Sequence, residues 1–439
     1  MKSRFVPRAF VFCLCLLILL VSGCGGGGHA EPSSPSPSAG ASASPGPTNA
    51  VPPADTATPE PPDDGVPDPS SLEPIGEIER ILAGMTLEQK VGQLLIAGIQ
   101  GTKIDSRMKE IIARQHVGGI IWFKNNFSGL EGSVLLANEL KKANEGNPVP
   151  LFMSVDQEGG KVSRLPAEFA AMPDAAKVGK TGDPELAERM GALLAKQLAA
   201  IGFNVDFAPV LDVNSNPKNP VIGSRSFGSD ADTVAKMGVA AMKGLQESGT
   251  IAVVKHFPGH GDTAEDSHVD LPVVTKSIDR LEALEWVPFR AAIEQGADAV
   301  MIAHILFPEI DPDAPASLSE AIISGQLRGT LGFEGVVMTD DLTMGAIADR
   351  YGIDEAALLS VEAGSDIVLV AHGYDNARKT YDRLLSAARS GRLPESRIDE
   401  SVRRIVALKL KYSLSDAPIP VPAESDLPND EIREWLDRL

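Results

Sequence analysis

The sequence predicts an α/β protein whose single catalytic domain is a (β/α)8 barrel of the TIM type. Two observations lead there: eight short apolar runs alternate with amphipathic segments, and a chemistry-capable polar residue follows most of the runs. The runs are 93–97, 118–123, 151–155, 203–208, 251–255, 299–303, 335–339 and 366–371. Near-continuous apolar runs read as strands buried on both faces, as in a parallel sheet covered by helices. The segments between them, such as 184–201, 232–248 and 277–295, carry apolar residues at helical spacing. An open doubly wound sheet fits this alternation too, but the polar residues favour a barrel. Lys124 and Asn125 follow the second run and Asp156 the third, and Asp206 and Asp212 flank the end of the fourth. His256, His304, Asp340 and His372 follow the last four runs. In a barrel these positions share the carboxyl-terminal rim, where such folds place their active sites.

Outside the domain the composition changes. Lys2, Arg4 and Arg8 precede an apolar stretch, 9–21, that is too short for a typical membrane span, and Leu20-Val21-Ser22-Gly23-Cys24 resembles a bacterial lipobox. Residues 1–23 therefore read as a lipoprotein signal peptide and Cys24 as the lipidated residue, with an ordinary secretory signal as the alternative. Residues 24–73 are rich in Gly, Pro, Ser and Ala, cannot bury a core, and read as a disordered tether. The barrel is expected over 74–414. A tail, 415–439, carries four prolines and then a short amphipathic stretch with Ile432, Trp435 and Leu436. All three cysteines lie within the first 24 residues, so the body has no thiol, disulfide or thiolate metal site. A formal net charge of −20 repels phosphate backbones, which argues against nucleic acid as a partner.

The segment Lys255-His256-Phe257-Pro258-Gly259-His260-Gly261-Asp262-Thr263-Ala264-Glu265-Asp266-Ser267-His268 holds three of the seven histidines. Gly259-x-Gly261-x-x-Ala264 matches a dinucleotide fingerprint, but no amphipathic helix opens there. His256 and His260 have the spacing of a helical zinc pair, but Pro258 and Gly259 break any helix that would align them. Histidines that only complete the hydrogen bonding of a loop are a further reading. In Asp266-Ser267-His268 an aspartate can orient a histidine and stabilise its protonated form, giving a proton donor near neutral pH. Asp340 and Asp341 supply a carboxylate pair at the end of the seventh run. Strand neighbours point to opposite faces, so one of the two should meet a substrate, and alternation alone does not choose.

The long segment resembles the signature of β-N-acetylhexosaminidases of glycoside hydrolase family 3, the NagZ type. Asp156-Gln157-Glu158-Gly159-Gly160-Lys161-Val162-Ser163-Arg164, Ile222-Gly223-Ser224-Arg225-Ser226-Phe227 and Thr339-Asp340-Asp341-Leu342-Thr343-Met344 are similar to three further motifs of that family, in matching order. The resemblance covers about 74–414. It implies that Asp340 is a nucleophile forming a glycosyl-enzyme intermediate, and that His268, partnered by Asp266, is the general acid and then the base. Asp156, Arg164, Arg225, Lys255 and His256 would bind the terminal sugar. Lys161 departs from the pattern, where arginine is more frequent, and lysine cannot reproduce an arginine fork. Many relatives carry a second domain after the barrel; none is expected here, and the resemblance implies that the long loop supplies its own acid.

The expected activity is retaining exo-β-N-acetylglucosaminidase action on peptidoglycan fragments, needing neither metal nor organic cofactor. The expected partners are N-acetylglucosamine-containing muropeptides or disaccharides, with membrane contact through the lipid anchor only, and the expected state is a monomer. A phosphorylase on the same scaffold is the first alternative, because a neutral histidine tolerates inorganic phosphate better than a carboxylate base does. A non-catalytic sugar-binding lipoprotein is the second; the joint presence of Asp340, Asp266 and His268 argues against it. The lipobox reading predicts that Cys24→Ala abolishes membrane retention and leaves catalysis intact. Cell fractionation checks this, and a variant that still sediments with membranes contradicts it.

Overall fold

Side chains alternate inward and outward along each apolar run, and this alternation lets the sheet close on itself. The computed structural model describes residues 69–263, 267 and 270–439, with side chains from Gly76 onward; Cys24, Asp266 and His268 lie outside the described residues. The strands are β1 (Leu95–Gly98), β2 (Gly119–Trp122), β3 (Phe152–Val155), β4 (Val205–Asp206), β5 (Ile251–Phe257), β6 (Ala299–Ile302), β7 (Leu306–Phe307), β8 (Asp311–Pro315), β9 (Val336–Asp341) and β10 (Ile367–Val370). Eight of them form a closed parallel barrel in the order β1-β10-β9-β6-β5-β4-β3-β2, and β7 and β8 form a separate antiparallel pair. Each barrel strand overlaps one of the eight apolar runs, and helices surround it: the chain is a (β/α)8 barrel.

One buried cluster draws a residue from every barrel strand: Ile96, Ile121, Phe152, Val205, Val253, Met301, Met338 and Leu369. Their strand neighbours Ala97, Ile120, Met153, Val254, Ile302, Val337 and Val368 belong instead to the layers between strands and helices. The runs are continuously apolar because both faces are buried. Helix starts are fixed locally. Asp183 accepts from the Glu185 backbone N–H ahead of helix Pro184–Ala199, and Asp230 accepts from that of Thr233 ahead of helix Ala231–Glu247.

The expected single helix over 277–295 is two, Ile278–Ala283 and Val287–Glu294. The break turns Glu285 and Trp286 toward the loop after β5. Lys276 donates to Glu285 at 2.5 Å, and the Trp286 indole N–H donates to the Pro258 carbonyl at 3.1 Å. Pro288 then sits in the first turn of the second helix, where its missing N–H costs no intrahelical bond. At the other end of the chain, helix Asn429–Leu436 docks on the domain: Ile432 and Trp435 are buried, and the Trp435 indole N–H donates to the Leu186 carbonyl at 3.1 Å.

The amino-terminal end of the barrel is sealed by a lysine. Lys409, on helix Glu395–Lys411, is buried and donates to Gln93 Oε1 at 2.7 Å and to the Gly118 carbonyl at 3.0 Å. Its ammonium lies 4.5 Å from the centroid of the Phe152 ring. Burial pushes it down to about 7, whereas the unfolded chain holds its lysines near ~10.4. Between these values the unfolded state binds the extra proton, so this residue makes the fold more stable as pH rises. In urea unfolding, the stability of the native chain relative to Lys409→Met should therefore grow with pH above about 7. A difference that stays constant would mean that Lys409 keeps its proton in the fold.

Candidate active site

Strand ends deliver the side chains. A cavity of about 310 Å³ at the carboxyl-terminal rim is lined by Asp156, Arg164, Arg225, Lys255, His256 and Asp340, together with Glu158, His260, Ser267 and His372. Every sequence-predicted sugar-binding residue thus meets Asp340 at one cavity. Lys124 and Asn125 do not reach it; they are exposed in a short turn after β2. A larger groove, about 860 Å³, lies near the amino-terminal starts of β6 and β9, where Lys411 is already paired with Asp298 at 2.6 Å.

β5 sends two consecutive residues into the cavity. Its pairing with β6 shifts register between Val254 and Phe257, a local irregularity that re-aims side chains. Lys255 donates to Asp156 at 2.6 Å and sits 2.7 Å from Glu158. Arg225 grips Glu158 with two parallel bonds, Nε to Oε2 at 2.8 Å and Nη2 to Oε1 at 2.7 Å. Burial pushes Glu158 up, but the Lys255 and Arg225 charges more than reverse this and hold it below the ordinary carboxylate range. For Lys255, burial pushes down while the Asp156 and Glu158 charges raise it above the usual lysine value. Both bases are therefore fixed cations with spare donors on the cavity wall. Beneath them Asp206 is fully buried; one oxygen accepts the Gln157 backbone N–H at 2.9 Å, and the other has no partner among the described residues. Burial pushes that carboxyl well above its usual range, which disfavours a further negative charge in the cluster.

Asp212, also fully buried, organises the loop after β5. Its Oδ2 accepts from His256 Nδ1 at 2.7 Å, and its Oδ1 accepts the His260 backbone N–H at 2.6 Å. This bond fixes the His256 tautomer and turns Nε2, 3.5 Å from Arg225 Nη2, toward the cavity. His260 shares hydrogen bonds with Thr263 Oγ1 at 2.8 Å and Ser267 Oγ at 3.2 Å, and burial pushes it down to about 4, so it stays neutral. Gly261 is required here, because a Cβ would lie 1.7 Å from the Val213 carbonyl oxygen.

The two aspartates at the end of β9 divide their tasks. Asp341 accepts backbone N–H groups from Ala371 and Thr343, both at 3.0 Å, and the Thr343 hydroxyl at 2.6 Å. Its oxygens are consumed in holding the rim. Asp340 is half-buried, and among the described residues it accepts one hydrogen bond, from the Asp341 N–H at 2.8 Å. Burial pushes Asp340 up, but His304 and His256, the Asp341 N–H and the Lys255 charge hold it below the usual range. It is an ionised carboxylate with an oxygen left for the cavity. Glu158 and Asp212 are the residues that sequence reasoning left without a role. Glu158 stands inside a quoted motif, but only its contacts reveal it as the centre of the charge cluster.

A polar cavity with an available carboxylate at the rim of a (β/α)8 barrel is the equipment of a glycoside hydrolase. Residues 86–408 match the glycosyl hydrolase family 3 N terminal domain, and the chain belongs to that family. It is 38% identical over 285 residues to a beta-hexosaminidase of Stenotrophomonas maltophilia, covering 64% of this chain and 83% of that one. It is 36% identical over 350 residues to the beta-hexosaminidase LpqI of Mycobacterium tuberculosis, covering 77% and 86%. A family 3 beta-N-acetylglucosaminidase structure from a Paenibacillus species matches with a TM-score of 0.78 at 47% identity, covering 81% of this chain and 68% of that one. The chain is thus a family 3 glycoside hydrolase with beta-hexosaminidase relatives.

Removing one partner of a buried charge network leaves the others uncompensated. Glu158→Gln should destabilise the fold by about 3–5 kcal/mol in denaturant unfolding. A loss below about 1 kcal/mol, the scale of an exposed pair, would mean that the cluster is solvated and does not hold the site.

Proposed function

We propose that the chain is a retaining exo-β-N-acetylglucosaminidase that releases non-reducing terminal N-acetylglucosamine from peptidoglycan fragments through a covalent intermediate on Asp340. The observation that carries this reading is the ionised Asp340, with one oxygen unpartnered among the described residues, facing charged donors and acceptors across a small cavity. Asp156, Lys255, Arg225, Arg164 and His256 would hydrogen-bond the hydroxyls of one sugar and set its anomeric carbon over Asp340. In the first step an Asp340 oxygen bonds to that carbon, the glycosidic C–O bond breaks, and His268 gives its proton to the departing oxygen. In the second, water gives a proton to His268, its oxygen bonds to the anomeric carbon, and Asp340 leaves as carboxylate. Asp266 would orient His268 and raise its proton affinity. Two inversions at one carbon retain the configuration. The lipobox-like leader supports export and anchoring through Cys24, which suits cell-wall fragments as substrate; no helix among the described residues is long and apolar enough to cross a membrane.

Leaving groups of different quality test the division of labour. A natural disaccharide needs the proton from His268, whereas a dinitrophenyl glycoside departs without it. His268→Ala should slow the disaccharide by about 10²–10⁴-fold, the usual worth of acid–base assistance, and slow the first step of the activated substrate far less. The activated substrate should then show a burst, azide should restore turnover, and Asp340→Ala should show no burst. Equal slowing of both substrates with no azide effect would remove the acid–base role. Sugar 1-phosphate formed on adding inorganic phosphate would replace hydrolysis with phosphorolysis.

A further inference from the structure

One aromatic pair at the cavity mouth has no part in the chemistry above. β2 and β10 are not neighbours; β1 lies between them. β1 ends at Gly98, where a Cβ would lie 1.8 Å from the Ala371 carbonyl oxygen. With no side chain there, the residues that follow β2 and β10 close over the end of β1. Phe123 and His372 meet with ring centroids 4.8 Å apart and an interplanar angle of 34°. His372 Nε2 lies 3.8 Å from Asp341 Oδ2, and the Arg164 guanidinium lies 5.9 Å from the Phe123 centroid. The shelf is therefore tied on one side to the carboxylate pair and on the other to the sugar-binding wall. Its outer member keeps 64% of its side-chain surface open to solvent.

The cavity itself is small. At about 310 Å³ it lies at the lower limit of ligand pockets, enough for one hexosamine ring and not two. A second ring, bonded to the oxygen that leaves Asp340's target carbon, must then sit at the mouth. The interior wall is charged and hydrogen-bonding, whereas the mouth offers a supported aromatic surface with a polar edge. A pyranose has an apolar C–H face and a rim of hydroxyls, which such a surface matches by stacking on the ring and bonding to the imidazole nitrogen.

We propose that His372, backed by Phe123, is the specificity residue for the leaving group, stacking on the ring of the sugar on the reducing side of the scissile bond. The inference rests on the glycosidase reading above and adds to it the residue that favours a sugar over a small leaving group. The experiment compares kcat/KM for N,N′-diacetylchitobiose, whose leaving group is a pyranose, with that for β-N-acetylglucosaminyl azide, whose leaving group has no ring. His372→Ala should lower the ratio of the two by about 3–10-fold, the scale of one aromatic stacking contact, and His372→Phe should keep it near the native value. A ratio unchanged by His372→Ala overturns the proposal. So does an equal fall in both numerator and denominator, which would place His372 on the terminal sugar instead. A native chain that cleaves neither substrate sinks the glycosidase reading and the shelf with it; a native chain that cleaves both, with the ratio unaltered in His372→Ala, sinks the shelf alone.

Discussion

A buried carboxylate, Glu158, holds two cations at fixed positions, and the site is arranged around that constraint. Arg225 comes from a turn beyond β4 and Lys255 from β5, and both are brought within 2.7 Å of the same acid. Buried charges are tolerated only when paired, so the fold must keep these elements in register or leave an uncompensated ion in its interior. The same requirement leaves each base with donors to spare, pointing at the cavity. Asp156 completes the arrangement by accepting from Lys255 while remaining on the cavity wall.

Three aspartates near this cluster are shifted in different directions for reasons that can be traced. Asp212 is fully buried, and burial pushes it up, but His256, His260 and their hydrogen bonds hold it below its usual value. Asp206 is equally buried and accepts one backbone N–H, so desolvation dominates and pushes it well above its usual range. Asp340 meets the cavity, and the nearby histidines and Lys255 favour its anion. Asp340 keeps an oxygen without a hydrogen-bond partner among the described residues, whereas both oxygens of its neighbour Asp341 are engaged by Ala371 and Thr343. The division follows from hydrogen bonding, which is why alternation along the strand did not decide it.

The barrel was legible because its information is local. Strands buried on both faces write continuous apolar runs, and the polar residues after most of the runs mark the rim. What was hidden depends on contacts between distant segments. Helix 277–295 reads as continuous by periodicity, yet Glu285 and Trp286 are drawn out of it by Lys276 and Pro258. Lys409 looks like one more charge on an amphipathic helix until Gln93 and Gly118, some 300 residues earlier, appear beside it. Glu158 lay inside a motif, but its role is defined by Arg225 and Lys255. The pairing of Phe123 with His372 depends on the missing side chain of Gly98, which no spacing rule reveals. The tail carried the right signal, with Ile432 and Trp435 on one face of a short helix, and lacked only the site on which they dock.

On the proposed reading this charge cluster sets one sugar over Asp340, which would then carry it covalently. The most direct measurement uses a 5-fluoro N-acetylglucosaminyl fluoride, which forms the glycosyl-enzyme readily and releases it slowly, followed by mass analysis of peptides. A single sugar ester is expected on the peptide containing Asp340 and on that residue within it. An ester on Asp341 or on any other carboxylate, or turnover of the reagent with no labelled peptide at any time, would contradict it.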